Sequence, residues 1–191
     1  MTLEIEAKFR LADPPAMRQR ILAAGGKPAG SVLEDNTYFD TRRRTLLKGD
    51  RGLRMRRAQP MRHNRPAGEP SIILTYKGPH RAVELKVRQE EEVRVNSVEN
   101  ALALFDGLGF RPVLSFQKRR ETFHLQTAEI CLDELPELGW FMEIEAPDEA
   151  AVEKVRGVLG LAHETIVATS YTALVDNYLS RHRPGERELS F

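Results

Sequence analysis

The chain has 191 residues and a mass of 21.7 kDa, 41% of them hydrophobic and 30% charged, which argues for one globular domain and against disorder. Its 29 basic and 28 acidic residues leave a net charge of +1, which argues against a basic nucleic-acid coat or an acidic tail protein. The single cysteine, Cys131, allows neither an intrachain disulfide nor a cysteine zinc cluster, and no apolar run approaches the roughly 20 residues of a membrane span. The N-terminus alternates and is acidic, so it does not read as a secretory signal, and a cytoplasmic location is expected.

In chain order, residues 3–10 set Leu3, Ile5, Ala7 and Phe9 on one face and Glu4, Glu6, Lys8 and Arg10 on the other, the period of a strand. Residues 14–24 begin with proline and end at Gly25-Gly26, a helix with good start and stop signals. Alternation returns at 53–56, 72–77, 86–94, 116–123, 129–133 and 140–145. Helices are predicted over 98–106 behind Ser97, 149–159 behind Asp148 and 171–180 behind Ser170. Residues 58–70, polar with three prolines, read as a loop, and 181–191 as a flexible C-terminal tail. The chain also echoes itself at an offset of 84: Gly25, Lys27, Pro28, Ser31 and Phe39 fall on Gly109, Arg111, Pro112, Ser115 and Phe123. Strand 3–9 falls on 87–93, so both halves read strand, helix, glycine turn, strand.

The wet faces of these strands carry Glu, Lys and Arg rather than Ser, Thr or Asn. Like charges such as Glu4/Glu6, Arg54/Arg56 and Glu143/Glu145 sit two residues apart, only ~7 Å along one face. An ordinary antiparallel sheet with a solvated face explains each strand alone. A curled sheet with a charged inside and an apolar outside covered by helices explains them together. Glu4 and Glu6 with Glu143 and Glu145 then form an acidic cluster suited to a hard divalent cation. Lys8, Arg54, Arg56, Lys77, Lys118 and Arg120 form a basic lining suited to phosphate oxygens. Neither a Gly-x-x-x-x-Gly-Lys-[Ser/Thr] loop nor a Gly-x-Gly-x-x-Gly fingerprint occurs, so any phosphate is held mainly by side chains.

Glu4-Ile5-Glu6-Ala7-Lys8 resembles the Glu-x-Glu-x-Lys signature of the CYTH superfamily, the triphosphate tunnel metalloenzymes. Leu53-Arg54-Met55-Arg56, Thr75-Tyr76-Lys77-Gly78-Pro79, Arg88-Gln89-Glu90-Glu91-Glu92, Lys118-Arg119-Arg120, Leu132-Asp133 and Met142-Glu143-Ile144-Glu145 follow in the family's order. Thr169-Ser170-Tyr171 before a helix resembles the class IV (CyaB-type) adenylate cyclase branch. The resemblance implies an α+β fold: a closed, antiparallel, eight-stranded β-barrel with a charged interior, surrounded by helices and spanning residues 1–180. It implies Mg²⁺ or Mn²⁺ as cofactor, held by Glu4, Glu6, Glu143 and Glu145, with Asp133 and Glu90 or Glu92 as further acidic partners. Lys8, Arg54, Arg56, Lys77, Lys118 and Arg120, with Arg88 added, are the implied triphosphate-binding set, and Glu4, Glu6 and Lys8 the implied catalytic residues. The implied activity is conversion of ATP to cyclic AMP and pyrophosphate. Tripolyphosphatase or thiamine triphosphatase activity is the alternative, and a non-catalytic polyphosphate or nucleotide binder lies further off. Homodimerisation is implied by the cyclase branch; no membrane partner is expected.

Other residues read more plainly. Arg42-Arg43-Arg44 suits a solvated turn better than a nucleic-acid contact, and the five histidines show no metal-ligand spacing. Cys131 reads as a packing residue, and Tyr171 as a packed helix start.

Overall fold

The computed structural model describes residues 2–81 and 86–191, with side chains over 5–79 and 89–191. The elements run β1 (Thr2–Leu11), α1 (Pro14–Ala23), β2 (Lys27–Thr41), α2 (Thr45–Lys48), β3 (Gly52–Arg62), β4 (Arg65–Pro66), β5 (Ser71–Arg81) and β6 (Lys86–Val95). They continue with α3 (Val98–Gly107), β7 (Phe110–Leu125), β8 (Ala128–Leu135), β9 (Gly139–Ala146), α4 (Glu149–Val158), α5 (Tyr171–His182) and β10 (Glu188–Leu189). The fold is α+β. Among the described residues eight long strands pair antiparallel in the order β7-β2-β3-β5-β6-β1-β9-β8, and residues 119–125 of β7 also pair with β8, so the sheet curls.

The helices begin where the sequence supplies a cap. Asp13, Ser97, Asp148 and Ser170 each accept a hydrogen bond from a first-turn backbone N–H, and Pro14 and Pro15 occupy the first turn of α1. Gly25 and Gly109, at φ +88° and +80°, make the left-handed turns after α1 and α3.

The internal echo is structural. β1 and β6 end at Leu11 and Val95, and α1 and α3 begin at Pro14 and Val98, both offset by 84. The chain is thus two like halves, β2-β3-β5-β6 and β7-β8-β9-β1, joined side by side.

The strands turn most of their apolar residues outward, but Leu114, Phe116 and Phe141 share the inner face with Lys118, Arg120 and Glu143, where α5 covers them. Ala7, Phe9, Phe123, Ile130, Leu132, Met142 and Ile144 form one core with Met17 and Ile21 of α1 and Val152 and Val155 of α4. Burying each large side chain of that set contributes about 1.5–3 kcal/mol. A second core joins Leu114, Phe116 and Phe141 to Tyr171, Val175 and Leu179 of α5, and a third joins Phe39 and Met55 to Ala101 and Phe105 of α3.

Two expectations are corrected. The segment 58–70 is not a plain loop: β3 continues to Arg62, and His63 and Asn64, at φ 49° and 60°, turn it into β4. Pro60 is tolerated because β5 pairs with β3 only as far as Ala58↔Ser71. The tail does not fray. Glu188 and Leu189 pair parallel with Ser115 and Phe116, and Leu189 is fully buried. The part of β7 that β8 leaves uncovered offers an open edge, and one leucine in a polar segment is enough to fill it.

Candidate active site: acidic and basic walls of one cavity

The inner face of the sheet carries the charges. A cavity of about 750 Å³ is lined by Glu6 and Lys8 of β1, Arg54 and Arg56 of β3, Lys77 of β5, Glu90 and Glu92 of β6, Lys118 and Arg120 of β7, Glu129 of β8 and Glu143 and Glu145 of β9. Period-two alternation brings them to one side, because every second residue of each strand points the same way.

Of the expected acidic cluster, Glu6, Glu143 and Glu145 converge, each with a carboxylate oxygen within 4.8 Å of the others. Glu6 and Glu145 are directly opposite in the β1–β9 register. The side chains of Glu4 and Arg88 lie outside the described residues. Three hard oxygen donors at this spacing fit a divalent cation.

The other expected acidic residues sit among cations instead. Asp133 has no exposed surface. Its Oδ1 accepts from Arg120 Nε at 2.7 Å, and its Oδ2 from Arg120 Nη2 at 2.7 Å, Lys118 Nζ at 3.3 Å and the Tyr171 hydroxyl at 2.9 Å. Glu90 pairs with Lys77. Glu92 lies 3.8 Å from Arg54 and 3.6 Å from Arg56, and accepts from Thr75 Oγ1. Arg120 spans both walls, meeting Glu143 at 2.5 Å and Glu145 at 4.0 Å as well as Asp133.

Burial alone would drive these groups neutral, but opposite charges outweigh it. Burial lowers Lys118, yet Asp133, Glu34 and Glu143 raise it above the ordinary lysine value; Arg120 is likewise held well above its usual value, chiefly by Asp133. The Nε atoms of Arg54 and Arg56 are buried and have no hydrogen-bond partner among the described residues. A buried polar group in that state is costly, and an oxyanion in the cavity would satisfy it.

Three residues escaped the sequence reading. Glu34 is buried beneath the basic wall, 3.4 Å from Lys118 and 3.6 Å from Arg56. Its strand hides it, because Asp35 and Thr37 make the opposite face polar too. Glu129 lines the cavity opposite Glu145 in register, next to Cys131, which is fully buried as a packing residue. Tyr171 is a packed helix start as expected, but its hydroxyl also reaches Asp133.

Glu34 makes a pH prediction. Burial raises its pKa, but Lys118, Arg120, Arg56 and Arg54 together hold it well below the usual carboxylate range. A lowered folded-state pKa contributes stability that is present above the unfolded-state value and lost as pH falls toward the folded one. The stability gap between the wild type and Glu34→Gln should therefore be widest near neutrality and narrow on acidification below about pH 4. Urea unfolding of both proteins across that range checks this; a gap that widens in acid would contradict it.

The fold and cavity define a class: α+β proteins whose curled antiparallel sheet faces carboxylates and cations inward. The CYTH domain family matches residues 2–171, and the chain belongs to that family. It is similar to the adenylate cyclase CyaB of Aeromonas hydrophila, 28% identical over 190 residues that cover 93% of this chain and 91% of the relative. Among solved structures it is similar to the PH1819 protein of Pyrococcus horikoshii, at a TM-score of 0.76 and 28% identity, covering 91% of this chain and 98% of that one. It shares its fold with HpAC1 of Hippeastrum, an adenylyl cyclase candidate described as having a dominant triphosphatase activity (TM-score 0.68, 20% identity, 91% and 95% covered). No described helix is long and apolar enough to cross a membrane.

Proposed function

We propose that the protein is a divalent-metal-dependent enzyme acting on triphosphates, and that its reaction is that of a class IV adenylate cyclase, ATP to cyclic AMP and pyrophosphate. The observation that carries this reading is the single cavity in which Glu6, Glu143 and Glu145 face Arg54, Arg56, Lys77, Lys118 and Arg120. A pure anion binder would gain little from three converging carboxylates. The likeness to a named adenylate cyclase over nearly the whole chain supports the cyclase branch. The eight strands, curled with β7 on β8, then serve as a closed tunnel open at its mouth.

Glu6, Glu143 and Glu145 would hold Mg²⁺ or Mn²⁺, which when bound offsets negative charge on the phosphate oxygens. Arg54, Arg56, Lys77, Lys118 and Arg120 bind and orient the triphosphate, with the two orphan guanidinium Nε–H groups finding acceptors there. Lys8, nearly fully buried and 3.2 Å from Glu143, lines the same cavity and would add its positive charge toward the triphosphate. In the cyclase reaction the ribose 3′-oxygen bonds to the α-phosphorus, the bond from that phosphorus to the pyrophosphate oxygen breaks, and one proton is released.

The second reading is hydrolysis of a triphosphate such as tripolyphosphate or thiamine triphosphate, favoured by the activity described for the Hippeastrum protein of like fold. One assay separates the two. Purified protein receives ATP, tripolyphosphate or thiamine triphosphate with Mg²⁺ or Mn²⁺, with a chelated control. Cyclic AMP with equimolar pyrophosphate is the expected result. Phosphate without cyclic AMP would establish the hydrolase, and no metal-dependent product from any of the three would sink the enzyme reading. A cytoplasmic homodimer belongs to the same proposal, with the exposed Leu104 of α3 and Leu108 just after it as its candidate face; sedimentation would show it.

A further inference from the structure

Tyr171 is the first residue of α5 and is buried against the inner face of the sheet. Its ring serves two ammonium groups at once: Lys8 Nζ lies 3.9 Å from the ring centroid and Lys118 Nζ 5.1 Å. Its hydroxyl donates to Asp133 Oδ2, the same oxygen that accepts from Lys118 and Arg120. The Phe141 ring, its centroid 5.4 Å away and its plane inclined at 80°, packs against it. The segment leading into α5 is tied to the same strand as Lys8: the Val167 N–H donates to the Lys8 carbonyl, and Lys8 Nζ donates to the Thr169 carbonyl.

We propose that Tyr171 is a positioning residue of the anion cradle, whose ring holds the Lys8 and Lys118 ammonium groups where one triphosphate reaches both. This rests on the triphosphate reading and deepens it by assigning the group that sets the anion affinity. Both ammonium groups are nearly fully buried, so they repel each other at low dielectric. Each already has a carboxylate, Glu143 for Lys8, and Glu34 and Asp133 for Lys118. A further carboxylate between them would hold them but would cancel their charge and repel phosphate. An aliphatic side chain would offer them nothing. The face of an aromatic ring attracts cations while adding no net charge, so the lysines stay both ordered and available. The hydroxyl, anchored on Asp133, keeps the ring from turning away.

Three variants separate the ring from the hydroxyl and from helix packing. Tyr171→Phe keeps the ring, Tyr171→Leu removes it, and Val175→Ala loosens α5 one turn on, at a fully buried position that does not line the cavity. Calorimetry with inorganic tripolyphosphate in chelator reads affinity without metal. NMR of ¹³C-labelled lysine reads the ring-current displacement of the Lys8 ε-methylene. Tyr171→Leu should weaken tripolyphosphate binding about tenfold and abolish the displacement, while Tyr171→Phe stays within about threefold and retains it. Val175→Ala should lower the melting temperature and leave the dissociation constant unchanged. Equal weakening by Val175→Ala, or wild-type affinity and shifts in Tyr171→Leu, would overturn the proposal. A wild type with the lysine displacement but no affinity for tripolyphosphate would instead remove the triphosphate reading, and the shifts of Tyr171→Leu would still decide whether the ring places the ammonium groups.

Discussion

Replacing Asp133 by asparagine should destabilise the protein in the absence of any metal by about 3 kcal/mol, a drop of about 6–12 °C in melting temperature. The side chain has no exposed surface, and both its oxygens are filled by Arg120, Lys118 and Tyr171. An amide of the same shape keeps the packing but withdraws a full negative charge from two buried cations, and its NH₂ offers them a donor where they need an acceptor. The loss falls at the low end for breaking a buried ion pair because Glu34 still faces Lys118 and Glu143 still faces Arg120. Thermal melts in chelator decide the role of this residue. If Asp133 were chiefly a metal ligand, the metal-free melting temperature would hardly move and the shift produced by added Mg²⁺ would shrink instead.

That residue marks the boundary of what was legible. Alternation alone put Asp133 on the inner face of its strand, but a strand pattern says which side a carboxylate faces and not which neighbours it meets. Its partners come from β7 and α5, thirteen and thirty-eight residues away in sequence, and only the pairing Arg120↔Asp133 brings them together. The helices were legible because caps, prolines and glycines are local. The echo at 84 residues was legible only faintly, and the structure shows why. The two halves keep their backbone but have diverged in sign: Lys8 corresponds to Glu92 and Glu34 to Lys118. The registers likewise set Arg54 and Arg56 of β3 where the counterpart strand β8 has Cys131 and Asp133. A repeat whose halves differ in charge at matched positions preserves few identities. The tail and the 58–70 hairpin were misread for a complementary reason. Their composition is polar, and what orders them is a free strand edge elsewhere in the chain.

The paired variant Glu6→Gln/Glu145→Gln should lower metal-dependent turnover by at least about 100-fold, within the range expected when electrostatic stabilisation of a transition state is withdrawn. The same variant should keep its stability in chelator. Glu6 and Glu145 face each other directly across β1 and β9, and like charges at opposed positions destabilise a sheet. Arg120 Nη1 lies 4.0 Å from Glu145, and Lys86 stands opposite Glu6 in the β1–β6 register. Neutralising both also removes negative charge from the cradle, so metal-free tripolyphosphate should bind at least as tightly as to the wild type. Glu143 is left intact because it also holds Lys8 and Arg120, and changing it would disturb the basic wall at the same time. The three readouts together separate a lost ligand set from a damaged fold. Turnover falls, chelated stability holds, and the melting shift on adding Mg²⁺ or Mn²⁺ disappears. Unchanged turnover with an intact metal-induced shift would mean that the cation is bound elsewhere. A fall in chelated stability would mean that the convergence of Glu6, Glu143 and Glu145 is structural.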